Sequence, residues 1–111
     1  MNIEKANLII INEISSDEKE LFETILENGD VKVERIVTLK PYEKPGKWYD
    51  QDLDEWVLLL QGEAELEFEN REIIAMKKGD YMFIPAHTLH RVHKTSTAPL
   101  CIWLALFGKF K

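Results

Sequence analysis

Between Val31 and Phe107, apolar residues recur at period two or in short unbroken runs, and turn residues interrupt them at close spacing. A chain built this way cannot bury its apolar faces as helices, whose apolar positions recur at three and four, so a closed or sandwiched β-fold follows. Val31, Val33, Val37 and Leu39 share one parity, with Lys32, Glu34 and Thr38 on the other. Trp56 to Leu60 and Leu100 to Phe107 are continuously apolar, the pattern of strands covered on both faces. Ala64, Leu66 and Phe68 alternate with Glu63, Glu65, Glu67 and Glu69, which are expected to face solvent. Ile73 to Met76, Tyr81 to Ile84 and Leu89 to His93 are further strands, separated by turns at Asn70-Arg71-Glu72 and Lys77-Lys78-Gly79-Asp80 and by the loop Pro85 to Thr88.

The first 30 residues read differently. Asn7 to Ile11 is short and rich in isoleucine, suited to an edge strand or an arm. Ser15 to Glu18 has capping-box spacing, Leu21, Phe22, Ile25 and Leu26 follow at helical intervals, and Gly29 supplies a stop. One short helix is therefore expected. The domain organisation is an N-terminal arm and helix over 1–30 packing on a β-barrel over 31–111.

At 111 residues the chain is one domain with little core to spare. Its formal charge of −6 works against binding phosphate backbones or anionic membranes, which need a basic surface. Cys101 is the only cysteine and sits in an apolar run, so no intrachain disulfide forms and a buried thiol is expected. No apolar run approaches a membrane span, and Leu8 to Ile11 is too short for a signal-peptide core. A cytoplasmic protein is the expectation.

Chemistry concentrates between Trp48 and His90. A loop carrying Pro41, Pro45 and Gly46 leads into the aromatic and acidic segment Trp48 to Glu55, and Gly79 to His90 closes the stretch. The spacing of its turn and polar residues resembles the cupin family of small jelly-roll β-barrels. The first cupin motif ends in a Glu, six residues and a Gly, matched by Glu55 and Gly62. The second runs Gly, five residues, Pro-x-Gly, two residues, His, three residues, Asn, and Gly79, Pro85 and His90 fall in register. His87 stands at the second Gly and Lys94 at the Asn. The His-x-His of the first motif is missing. With three residues before Glu55 its positions fall on Tyr49 and Gln51, and with four on Trp48 and Asp50.

The resemblance implies a cupin-type jelly-roll barrel with a pocket centred on Glu55 and His90. It also implies one divalent metal, of which only these two ligands carry over. Asp50 is the residue best suited to complete a mixed nitrogen and oxygen site for Fe, Mn, Ni or Zn. A metal-assisted enzyme on a small polar metabolite would then use His87 or Tyr49 to move protons. The alternative is a metal-free binding or sensor module whose small ligand meets Trp48, Tyr49, Gln51, His87 and Arg35. Arg35 breaks the apolar parity of its strand, as a bulge, a surface salt bridge or a cation facing the pocket. The outward parity of Trp56, Leu58 and Leu60, with the apolar arm, predicts a homodimer.

Overall fold

The computed structural model describes residues 2–11, 19–42, 44–96 and 98–111. Eight strands form two antiparallel sheets: β1 (Glu20–Glu27), β2 (Val31–Thr38), β3 (Asp54–Gln61), β4 (Glu63–Phe68), β5 (Ile73–Lys77), β6 (Tyr81–Ile84), β7 (His90–Thr95) and β8 (Cys101–Gly108). The larger sheet has the order β1-β2-β8-β3-β6 and the smaller β5-β4-β7. Strands β2 to β8 overlap the stretches marked by alternation, short apolar runs and turn residues, with ends shifted by a few residues. No helix of the described residues is long and apolar enough to cross a membrane.

The core lies between the sheets. Val57, Leu59, Trp103, Ala105 and Ile84 from the larger sheet meet Ala64, Leu66 and Met76 from the smaller. Leu59 and Ala105 are fully buried, and at roughly 25 cal/mol per Å² of apolar surface such residues supply most of the drive to close the sandwich. Cys101 is buried, its thiol 3.2 Å from the Glu63 carbonyl oxygen.

The expected helix is absent, because Glu20–Glu27 is a strand paired antiparallel with β2. The capping sequence Ser15 to Glu18 lies outside the described residues. A register shift between Thr24 and Leu26 explains the misreading. Phe22 and Thr24 pair with Ile36 and Glu34, but Leu26 pairs with Val33, so an extra residue at Ile25 breaks the alternation. Apolar residues at 21, 22, 25 and 26 then mimic helical intervals while the chain stays extended.

The register of β2 also reassigns its faces. Glu34 and Ile36 point to the interior, while Arg35 and Val37 face outward. Arg35 forms a 2.6 Å ion pair with Glu23, its register partner on β1. Its guanidinium also donates to the carbonyls of Leu8 and Ile10, at 3.1 and 2.9 Å. Asn7 to Ile11 is thus an arm rather than a strand, tied down by the one charge on an otherwise apolar parity. On the smaller sheet, Glu67 departs from the solvated-glutamate expectation. It is buried, bonded to its register partner Arg91 at 2.8 Å, and that bond holds its carboxyl below the usual range.

Gly62 turns the chain from β3 to β4 with φ of 91°, and a Cβ there would lie 2.7 Å from the Cys101 Sγ and 3.0 Å from its Cα. Gly29 has neither restriction. Gly62→Ala is therefore expected to lower the unfolding free energy by about 2 kcal/mol or more in urea titrations. Gly29→Ala should stay within about 0.5 kcal/mol. Equal effects at the two positions would contradict this reading of the turn.

Candidate functional site

The segment 46–51 lies along β7 and the loop before it. Gly46 N–H donates to the Val92 carbonyl at 2.8 Å, Tyr49 and His90 exchange backbone bonds at 2.8 and 3.2 Å, and His87 N–H donates to the Gln51 carbonyl at 2.8 Å. In an extended segment alternate side chains share a face. Tyr49 and Gln51 therefore turn into the cavity together, and Trp48 and Asp50 turn away. This decides between the two spacings that the sequence leaves open.

Asp54 fixes the far side of the site. Its carboxylate accepts from the backbone N–H of Ala86 and Phe110, each at 2.9 Å, and from Lys111 at 3.3 Å. Those bonds hold its pKa below the usual carboxylate range. They tie the loop before His90 to the start of β3, where Glu55 stands next in sequence.

The cavity between the sheets measures about 200 Å³. At its polar end stand Tyr49, Gln51, Glu55 and His90. His90 Nδ1 is 2.7 Å from the Thr88 carbonyl oxygen, which can only accept, so Nδ1 carries a hydrogen and Nε2 is aimed at Glu55 Oε1, 3.4 Å away. Gln51 Nε2 donates to the same oxygen at 3.3 Å. Both His90 and Glu55 are buried. Burial pushes the His90 imidazole down, but the Glu55 bond, the Thr88 carbonyl and the charge on Glu55 outweigh it, so its pKa is raised. The Tyr49 phenol is raised as well, by burial first and then by the charges of Glu20, Glu55 and Glu34.

Four of the eight candidate residues thus meet in one place, and four do not. Trp48 lies outside, its ring under the Arg91 guanidinium at 4.3 Å. Asp50 pairs with His87 Nδ1 at 2.9 Å, and Asp52 lies 3.5 Å from the other ring nitrogen, all exposed on the loops that precede β3 and β7. Arg35 is held on the outer face of the larger sheet. Conversely, Glu20, Phe22, Glu34, Trp103 and Phe107 line the cavity without having been singled out. The sequence signal for Glu34 was its shared parity with Ile36, while Glu20 and Phe22 were hidden by the helical reading of β1.

A divalent metal in this position would take its ligands from Tyr49, Gln51, Glu55 and His90. They offer one imidazole, one carboxylate, an amide and a neutral phenol. Among the described residues no group of three or more His, Cys, Asp or Glu is placed to hold an ion. Asp50 is engaged by His87, and Glu55 Oε1 is already shared by His90 and Gln51. These residues do not fit a resident metal, which normally takes at least three strong protein ligands.

His90 gives the site a pH signature. Its folded-state pKa lies above the ordinary imidazole value, so its contribution to stability is complete below that value and is lost as pH rises through the folded-state pKa. Between about pH 5.5 and about pH 8.5, the protein should lose more unfolding free energy than His90→Gln, measured in urea. Equal losses would remove His90 as the cause.

The Cupin domain family model matches residues 35–107. The chain is 32% identical over 97 residues to the uncharacterized protein YdbB of Bacillus subtilis (strain 168), covering 86% of this chain and 80% of that one. It is also similar to the crystal structure of a putative mannose-6-phosphate isomerase from Ralstonia eutropha JMP134. That match has a TM-score of 0.84 and 33% identity, over 96% of this chain and 98% of the other. A cupin with a double-stranded β-helix fold from Methanocaldococcus jannaschii superposes with a TM-score of 0.68 at 15% identity, over 94% of each chain, and shares the fold. The protein belongs to the cupin domain family.

Proposed function

We propose that this cupin binds a small molecule in the cavity between its sheets, and that the polar end of that cavity works without a resident metal ion. The observation that carries the reading is the mutual satisfaction of Gln51, Glu55 and His90, where Glu55 Oε1 receives both neighbours. A buried carboxylate with two such partners is already compensated, and a cation would have to break those contacts to enter. The apolar lining from Val57, Leu66, Ile84 and Val92 supplies the contact area that a small ligand needs.

A second reading is favoured by the same buried pair. An imidazole with a raised pKa beside a carboxylate can give a proton to a bound molecule and take one back. His90 and Glu55 would then be catalytic, with Tyr49 donating a hydrogen bond. Its raised phenol makes it a poor proton source near neutral pH, and His87 lies outside the cavity. Solvent deuterium appearing in a bound ligand by NMR, and absent with His90→Gln, would support catalysis; no incorporation would leave binding alone.

The homodimer belongs to the same proposal. Trp56, Leu58, Leu60, Leu104 and Leu106 present half-buried apolar surface on the outer face of the larger sheet, and a second copy would cover it. A monomer by size exclusion with light scattering at micromolar protein would remove that part.

The metal question has a direct test. Protein purified without a His-tag or chelator should carry only traces of metal and show no rise in Tm with added Zn²⁺, Ni²⁺ or Mn²⁺. The double variant Tyr49→His, Gln51→His supplies three imidazoles and a carboxylate at the same positions, and should gain Tm with about 100 μM Zn²⁺. Stoichiometric metal in the parent, lost in Glu55→Gln and His90→Ala, would overturn the metal-free reading.

A further inference from the structure

The cavity has an unusual balance of charge for its size. Among the described residues, three carboxylates line it from three different strands, Glu20 on β1, Glu34 on β2 and Glu55 on β3, and no lysine or arginine does. Among the described lining residues His90 is the one side chain that can be positive, and it is held against Glu55. Lys32, on the same face of β2, pairs with Glu34 at 3.1 Å and sits at the rim, 38% exposed. Tyr42 donates its phenolic hydrogen to Glu20, and Thr38 adds a longer bond, but neither removes that charge. Three negative groups therefore face one internal and one rim cation.

The remaining walls are aromatic and aliphatic. Phe22, Tyr49, Trp103 and Phe107 present rings to the cavity, with Ile36, Val57 and Leu66 between them. Aromatic faces carry negative quadrupole potential and attract cations, most strongly where water is excluded. Carboxylates at separate points of an aromatic-lined cavity reinforce that potential, and the field also reaches Tyr49, where it adds to burial in raising the phenol.

We propose that the ligand of this pocket is a small organic ammonium ion with an apolar body. This rests on the reading of the cavity as a small-molecule site and names the chemistry of its occupant. The charged nitrogen would lie toward Glu34, which meets Lys32 through Oε2 alone, with the Glu20 charge adding to the field, and the apolar body against Trp103 and Phe107. A phosphorylated sugar, the substrate class for which the Ralstonia relative is named, would bring a dianion into a cavity whose described lining offers no lysine or arginine to receive it.

The test compares four probes on the intact protein at neutral pH by isothermal titration calorimetry and thermal shift: benzylammonium, its neutral isostere benzyl alcohol, benzoate and glucose 6-phosphate. Benzylammonium should bind at least about tenfold more tightly than benzyl alcohol or benzoate. Glu20→Gln or Glu34→Gln should weaken benzylammonium by about fivefold or more while leaving benzyl alcohol within about twofold. Two separate carboxylate variants guard against loss of folding in one, and the comparison among probes on the unaltered protein needs neither. If benzoate or glucose 6-phosphate binds as tightly as benzylammonium, the ammonium inference is overturned while the pocket reading stands. If none of the four binds, both fall.

Discussion

The contact between His90 and Glu55 joins the two sheets at the polar end of the cavity, since Glu55 belongs to β3 of the larger sheet and His90 to β7 of the smaller. Both side chains are buried, so neither can be left alone without the cost of a stranded charge or an unpaired ring nitrogen. The surrounding backbone serves to hold them in place. Tyr49 and His90 exchange main-chain bonds, Thr88 fixes the imidazole, and Asp54 ties the loop before His90 to the first turn of β3.

Those same constraints explain how one family architecture can hold different chemistry. In this chain the two positions that precede Glu55 in the motif carry a phenol and an amide. Tyr49 lies beside the His90 ring, with centroids 6.0 Å apart, and Gln51 donates to Glu55. The cavity persists with a phenol and an amide where the family motif has imidazoles. With Glu20 and Glu34 on β1 and β2, the pocket lining is acidic and aromatic.

Most of the strand plan was legible because alternation leaves a direct record in half-buried sheets. Glu63 to Phe68 shows it, with Glu67 the buried exception, and Gly79, Pro85 and His90 marked the second motif in register. β1 was misread because a bulge at Ile25 turns an alternating strand into a helical-looking one. Parity alone could not choose between Tyr49 with Gln51 and Trp48 with Asp50, since the segment pairs with β7 through isolated backbone bonds rather than a continuous ladder. Asp50 and His87 were plausible site residues by spacing, yet they satisfy each other across two exposed loops. Glu34 escaped notice because a charge on the parity opposite valines reads as a solvated face, whereas here that parity faces the cavity.

The most direct test of this account is a double-mutant cycle on His90→Gln and Glu55→Gln, measured by urea unfolding near pH 6 with metal-free buffer. A favourable coupling of about 1–3 kcal/mol is expected, as for a buried hydrogen bond between groups that share charge. Additive effects of the two substitutions would mean that the pair does not hold the sheets together, and the metal-free description of the pocket would lose its foundation.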